Sequence, residues 1–258
     1  MRDTGRIALP DSDVRFVFVP IERTSWQGRA AARDLSLDSL QIDPLVFGRG
    51  LLTDEEHARR VSSALLAGAP DEEPLRVIWN HDADDGAIVI VATNCRETQD
   101  AVEIERRFSQ RGDGAWDVEH AYFAISSRYQ GGGGARRMLR ASLEVYDRLD
   151  IVRIDVHANL TVGGYAWARL GFVVNDARHV RAALAAAFSD EPASPLLGAA
   201  QRAACASSDE DLMYNLASLT GADGTPHGKR LLAGSGWYGH LDLTNPRHRE
   251  RLARSFDE

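Results

Sequence analysis

A run of four consecutive glycines is the segment of this chain whose residue types are best suited to binding an anion. Gly131, Gly132, Gly133 and Gly134 stand between a predicted strand and a predicted helix. Such a loop exposes several backbone N–H groups at the positive end of the helix dipole, and a side chain there would keep phosphate oxygens away from those groups. The run therefore predicts an anion site, although a tight strand-to-helix turn would have the same composition.

Two common phosphate-binding motifs do not fit the run. The dinucleotide fingerprint needs a third glycine where Arg136 stands, and a Walker A motif needs a Lys-Ser or Lys-Thr pair that does not follow. The pattern that does fit is Gln-x-x-Gly-x-Ala, with Gln130, Gly133 and Ala135 at its fixed positions.

This loop and its flanks resemble the GCN5-related N-acetyltransferase family. The segment 119–130, Glu-His-Ala-Tyr-Phe-Ala-Ile-Ser-Ser-Arg-Tyr-Gln, is similar to the fourth strand of the histone-acetyltransferase branch, including the spacing of its glutamate from the Gln. The segment 166–172, Ala-Trp-Ala-Arg-Leu-Gly-Phe, resembles the short fourth helix of the family, which ends in Gly-Phe. The resemblance covers residues 118–174, less than a quarter of the chain.

The resemblance implies an acyl-CoA-dependent N-acyltransferase that uses acetyl-CoA or another acyl-CoA as co-substrate. In the family, a splayed strand pairs its free backbone groups with the pantetheine arm, at positions that match Phe123, Ala124 and Ile125. The segment from Gln130 to Ala135, with its four glycines, would hold the pyrophosphate. Asn159 would bond to the pantetheine, although a turn-forming role suits it equally.

Two residues are the catalytic candidates. Glu119 matches the strand glutamate of the family and would be the general base, because an ammonium must lose a proton before its nitrogen can attack a thioester. The family commonly keeps an acidic tyrosine where this chain has Trp167, and an indole cannot protonate a thiolate. Tyr165, two residues earlier, is the replacement candidate for general acid. His120 and His157 are weaker candidates for base or substrate ligand, since single strand histidines are usually structural.

Hydrophobic periodicity and turn residues predict the elements that must position these groups. Strands are predicted at 14–21, at 75–79 and 87–93 as a hairpin, and at 118–126, 151–158 and 237–243. Helices are predicted at 53–67, 98–108, 135–149, 165–170, 178–188, 196–206, 209–219 and 246–258.

The predicted fold is α/β (α+β), with a mixed and mostly antiparallel central sheet flanked by helices. We expect a single domain over 1–258, with a core at about 12–176 plus the strand 237–243. A helical insertion at about 178–233 departs from the family pattern and could form a substrate-side wall or a homodimer surface. The basic helix 246–258 could touch an acidic partner, but a solvated helix end explains it more simply.

Composition restricts the function classes. With 44% hydrophobic and 26% charged residues the chain should fold, and a formal charge of −8 argues against nucleic acid as a partner. The two cysteines form no zinc-ligand or disulfide pattern, so we expect no metal. The segment 1–6 lacks the apolar core of a signal peptide and no stretch is long enough to span a membrane, so we expect a cytoplasmic protein.

The acceptor is expected to be a primary amine on a small molecule or a peptide. Acidic residues in predicted strands and turns, Asp82, Asp84, Asp85 and Asp155, favour a cationic amine such as a lysine side chain, a polyamine or an aminoglycoside-like compound. Three alternatives stay open: a non-catalytic CoA- or peptide-binding module, a structural or interaction protein, and aminoacyl transfer from charged tRNA. The last would require a basic tRNA face, which the sequence does not suggest.

Overall fold

The structure is a computed structural model that describes residues 6–9, 12–17, 40–67, 75–93, 102–125, 133–159 and 163–257. It is a mixed α/β fold with a mostly antiparallel sheet, as predicted. The chain divides into two compact units, Trp26–Ile154 and Met1–Ser25 with Asp155–Glu258. We call the first the sheet unit and the second the helical unit.

Five strands lie entirely within the described part of the sheet unit, and their order in the sheet follows their order in the chain. They are β3 (Leu40–Ile42), β4 (Arg76–His81), β5 (Ile88–Thr93), β6 (Val102–Gln110) and β7 (Trp116–Ile125). The pairs β4–β5, β5–β6 and β6–β7 are antiparallel, while β3 pairs with β4 in parallel. The predicted hairpin of β4 and β5 is therefore confirmed.

Two helices pack on one face of these strands. Helix α1 (Glu55–Leu65) lies within the helix predicted at 53–67, and its N-cap is Asp54, whose carboxylate accepts a hydrogen bond from His57 N. Helix α2 (Gly134–Arg148) follows the glycine run, as predicted. Trp79 on β4 donates its indole N–H to Ser62 on α1 at 2.9 Å, and Phe108 on β6 packs edge-on against Tyr146 on α2. The core of the sheet unit lies between this face and the two helices.

The helix predicted at 98–108 is wrong over its described part, because β6 runs through it. Ile104, Arg106 and Phe108 alternate with partly exposed residues, and all three are buried. That is the period of two that strands require. Arg106, a charged residue at a core position, interrupts the apolar alternation in the sequence, so the strand pattern was not recognised. Residues 98–101 lie outside the described part of the chain.

Strands of the helical unit form two small groups. One is the antiparallel pair β1 (Arg6–Leu9) and β2 (Ser12–Val17), so the strand predicted at 14–21 begins earlier and its last residues lie outside the described part. The other has the order β8 (Ile151–Ala158), β10 (Trp237–Asp242) and β9 (Val173–Val174). Strand β8 begins at the end of the sheet unit and has the predicted bounds.

The described part of the helical unit also contains six helices, five of which lie where the sequence predicts a helix. They are α3 (Gly163–Arg169), α4 (Ala177–Asp190), α5 (Pro195–Ala206), α6 (Leu212–Ala217), α7 (His227–Leu232) and α8 (Pro246–Asp257). Only α7 has no counterpart among the predictions.

Helix α6 links the insertion to its neighbours. Tyr214 on α6 lies under two guanidinium groups, with Arg169 of α3 at 5.9 Å and Arg251 of α8 at 5.0 Å from its ring centre. Arg251 also pairs with Asp211 at the start of α6. At least part of the basic charge of α8 therefore serves packing within the chain.

Two glycines allow close backbone contacts in this unit. A Cβ on Gly228 would lie 2.1 Å from the carbonyl oxygen of Ala217, and one on Gly164 would lie 2.6 Å from that of Leu232. Real Cβ atoms do not approach backbone so closely, so α7 and α3 can pack here only where a side chain is absent.

In the part of the chain that the structure describes, no helix combines the length and the apolar character needed to cross a bilayer.

Candidate functional site

A bulge in β7 determines which residues share the polar face of the sheet unit. In the register of β6 and β7, Arg107 stands opposite Glu119 and Glu105 stands opposite Tyr122. Two residues of β7, 120 and 121, therefore stand opposite the single residue Arg106. Directly paired residues in an antiparallel sheet share a face, and Glu105 and Arg107 are two positions apart on β6. Glu119 and Tyr122 therefore lie on one face although three positions separate them.

Glu119, the predicted base, is half exposed on this face and has a cation beside it. Its Oε2 lies 4.0 Å from Nε of Arg107, and 46% of its side chain is exposed. Arg107 also donates to Asp85 at 2.7 Å and to Asp82 at 3.1 Å. These two aspartates, which the sequence suggested as amine ligands, therefore hold Arg107 in place next to Glu119.

Glu105 is a second carboxyl group on the same face. Burial raises its pKa above the ordinary value, the charge of Arg107 opposes that rise, and the negative charge of Glu119 adds to it. A carboxylate with a raised pKa binds a proton more tightly than a solvated one. The face thus presents two possible proton acceptors, of which the sequence predicted only Glu119.

The start of α2 has the backbone conformation expected of an anion-binding loop. Gly133 is the N-cap with φ 73° and ψ 7°, a left-handed conformation that residues with side chains rarely adopt, and no side chain caps the helix. The first turn contains no acidic residue. A Cβ on Gly133 would lie 3.4 Å from Nη1 of Arg137, so a guanidinium group lies beside the N-terminus of the helix.

The other predicted cofactor-binding residues of the sheet unit are in part described. Phe123, Ala124 and Ile125 form the end of β7, paired with Ile104, Glu103 and Val102 of β6. Gly134 and Ala135 open α2. Gln130, Gly131 and Gly132 lie outside the described part of the chain.

Asn159 and His157, both at the end of β8, interact with each other in the helical unit. The Asn159 amide nitrogen lies 3.3 Å from Nδ1 of His157. The His157 ring stacks on Tyr238 of β10, with ring centres 4.0 Å apart and planes 12° apart. Asn159 is exposed, whereas stacking fixes His157.

Tyr165 and Trp167 lie on α3, also in the helical unit. Trp167 packs edge-on against Phe172, with ring centres 5.0 Å apart. The Tyr165 side chain is partly exposed. A hydrogen bond from β10 holds helix α3, since the Trp237 indole N–H donates to the Gly164 carbonyl oxygen at 3.2 Å. Each unit therefore supplies part of the predicted residue set: Glu119 and the loop in one, Asn159 and Tyr165 in the other.

His120, the other histidine candidate, belongs to the core of the sheet unit. It is 3% exposed, and its Nε2 lies 2.7 Å from the Tyr146 hydroxyl. Burial, and then the charge of Arg106, hold the pKa of His120 well below its usual 6.5. The ring is therefore neutral at pH 7 and enclosed by protein, which suits a structural role.

Sequence reasoning missed Arg106, Arg107, Glu105 and Tyr122. One signal was available for Arg106, since an arginine between Ile104 and Phe108 interrupts an otherwise apolar alternation. Nothing in the sequence indicates the bulge, and without it Tyr122 is assigned to the opposite face.

Among the described residues, no group of three or more His, Cys, Asp or Glu side chains is arranged to hold a metal ion. In comparisons with known proteins, no family model matches the chain, and no curated protein and no solved structure matches it significantly.

Proposed function

We propose that the protein is an acyl-CoA-dependent N-acyltransferase that acylates a primary amine and has a GCN5-related N-acetyltransferase-like fold. The observation that carries the proposal is the start of α2, where a left-handed Gly133 opens a fifteen-residue helix with Arg137 beside it. This arrangement suits a pyrophosphate, because the helix dipole, free first-turn N–H groups and a guanidinium all favour negative charge.

The bulged strand before this loop supports the same proposal. A bulge interrupts regular pairing and bends its strand, while Phe123 to Ile125 beyond it stay paired with β6. In the proposed complex the end of β7, from Phe123 to Ile125, takes the pantetheine arm, and Glu119 lies on the near side of the bulge.

The proposed reaction is direct transfer. The ammonium gives its proton to Glu119, and the amine nitrogen then attacks the thioester carbonyl carbon. The C–N bond forms, the C–S bond breaks, and the coenzyme A thiolate leaves with the bond's electron pair. The nitrogen loses its second proton to water, the thiolate takes up a proton from water, and the amide product keeps one N–H. Arg107, with its Nε 4.0 Å from Oε2 of Glu119, is the cation that stands next to this carboxylate.

The cofactor proposal is tested by calorimetric titration with acetyl-CoA of the wild type, Gly133→Glu and Gly114→Glu. Gly114 also has a positive φ, of 89°, but lies in the exposed turn between β6 and β7. Both variants thus add the same strain and charge, but only one adds them at the loop. We expect micromolar binding by the wild type and a loss of about 100-fold or more for Gly133→Glu alone.

Equal weakening by the two glycine variants would contradict the loop assignment. Absence of binding by the wild type would contradict the proposed function as a whole.

The choice between the two carboxylates is tested by steady-state acylation of amines with Glu119→Gln and Glu105→Gln. A lost general base lowers kcat by about 100-fold or more, so we expect this loss for Glu119→Gln and a much smaller one for Glu105→Gln. The reverse result would assign the proton to Glu105. Binding of acetyl-CoA without turnover of any amine would favour the non-catalytic CoA-binding module.

A further inference from the structure

Arg106 is a cation in the core of the sheet unit. It is 5% exposed and stands between two buried apolar residues of β6, Ile104 and Phe108. Burial lowers the pKa of the guanidinium, although the Tyr146 hydroxyl opposes that effect. In the described part of the chain no carboxylate pairs with Arg106. Burying a charge without a counter-ion costs several kcal/mol, so a residue of this kind calls for a specific role.

The hydrogen bonds of Arg106 span the bulge. Its Nη1 donates to the carbonyl oxygen of Glu105 at 3.1 Å, on its own strand, and to that of Tyr122 at 3.0 Å, on β7. These two carbonyls belong to the pair directly after the bulge. The guanidinium therefore joins β6 to β7 at the point where regular pairing is interrupted.

The ring of Phe123 and the peptide that precedes it also contact Arg106. Its guanidinium carbon lies 5.2 Å from the centre of the Phe123 ring. The Tyr122 carbonyl that accepts the hydrogen bond shares a peptide unit with the Phe123 N–H. A charge-assisted bond to the carbonyl fixes the plane of that peptide and polarises its N–H group.

The bulge is also tied to α2. His120 is one of the two bulged residues, and its Nε2 lies 2.7 Å from the hydroxyl of Tyr146, which is on the helix that Gly133 opens. Arg106 and the His120–Tyr146 pair thus hold the same short stretch of β7, one from β6 and the other from α2.

We propose that Arg106 is a positioning residue: by bridging the carbonyls of Glu105 and Tyr122 it fixes the bend of β7 between Glu119 and Phe123. The inference rests on the proposed function, in which those two residues are the general base and the start of the backbone that binds the pantetheine arm. A base misplaced by about 1 Å costs on the order of 100-fold in rate. Arg106 itself touches neither substrate.

The test uses the full-length protein, with Arg106→Met compared with Ile88→Ala. Ile88 is fully buried on β5 and pairs with Phe108, so its truncation weakens the same core at a distance from the bulge. Two readouts are needed: hydrogen exchange of the amides of 119–125, and kcat and KM for acetyl-CoA with an accepted amine.

We expect Arg106→Met to speed exchange selectively at 119–125 and to lower kcat by about 100-fold, with KM for acetyl-CoA raised as well because the Phe123 N–H moves with the bend. Ile88→Ala should speed exchange throughout the strands and leave kcat nearly unchanged. If Arg106→Met does not fold, Arg106→Lys replaces it, because lysine has a shorter reach and no planar fork. It should change the exchange rates and kcat in the same directions but by smaller amounts.

Exchange in Arg106→Met that is no more local than in Ile88→Ala would overturn the inference, as would an unchanged kcat. A wild type that binds no acetyl-CoA would refute the proposed function instead, and the exchange readout would still decide whether Arg106 fixes the bulge.

Discussion

Both units bury hydrogen-bonded polar side chains, such as Ser62 in one and Ser235 in the other, but their tightest interior contacts differ. The sheet unit buries hydrogen-bonded polar groups, including Arg106, His120 and the Ser62 hydroxyl, whereas in the helical unit Gly164 and Gly228 allow backbones to touch. A close backbone contact only needs side chains to be absent, but a buried polar group needs a particular partner in a particular place. The comparison teaches that the sheet unit constrains directions as well as volume, which would suit a strand that carries the proposed base.

We expect the largest loss of stability from adding a side chain at Gly228, where the helical unit has no space for one. Gly228→Ala places a Cβ 2.1 Å from the Ala217 carbonyl oxygen, so the backbone must move and we expect about 3 kcal/mol of lost stability in denaturant unfolding. Gly224→Ala is the control, because Gly224 has φ 82° but open space around it. Its backbone strain should cost about 1 kcal/mol. Equal losses would mean that crowding does not limit this unit.

A smaller loss is expected where the sheet unit relies on a buried bond. Ser62→Ala removes the acceptor of the Trp79 indole N–H, at 2.9 Å, in the core. An unsatisfied buried donor costs about 1–3 kcal/mol. Trp79→Phe in the Ser62→Ala background should then cost less than in the wild type, because the donor is already unpaired. Additive losses in this double-mutant cycle would show that packing, and not the bond, stabilises the pair.

The smallest effect is a pH dependence that belongs to the sheet unit. The pKa of His120 is well below 6.5 because the ring is buried, so below pH 6.5 the unfolded chain takes up a proton that the folded chain does not. Stability contributed by neutral His120 is therefore complete above pH 6.5 and declines as the pH falls, by up to about 1.4 kcal/mol per unit.

His120→Gln should flatten this decline, measured as the difference between variant and wild-type unfolding free energies from pH 7 to pH 5. Parallel wild-type and His120→Gln curves would show that another group titrates.

Sequence patterns predicted most elements because the apolar residues of most segments repeat with one clear period, that of a helix or that of a strand. The hairpin of β4 and β5, strand β8 and helix α2 combine apolar periodicity with turn or cap residues, and their types are as predicted. The prediction for β6 was wrong because Arg106 lies in the core, where it donates hydrogen bonds to one carbonyl on its own strand and one on β7. A local sequence pattern cannot reveal such partners.

Sequence could predict those features of the candidate site that depend on a single residue. Glycine at 133 permits the left-handed conformation that the structure has there, although residue type alone does not require it. The pairing of Glu119 with Arg107, and of Arg107 with two aspartates, depends on strand register. Register arises from contacts between segments distant in sequence, so no local pattern encodes it.

The bulge in β7 also determines how this stretch tolerates changes in length. Val118 pairs with Phe108 and Phe123 pairs with Ile104, so both face the core although their positions differ by an odd number. Deleting Ala121 would restore strict alternation and force either the Glu119 segment or the Tyr122 segment to exchange its faces. A one-residue deletion is therefore more disruptive here than most substitutions, and a relative that lacks this residue would carry a different chemical surface on an otherwise similar strand.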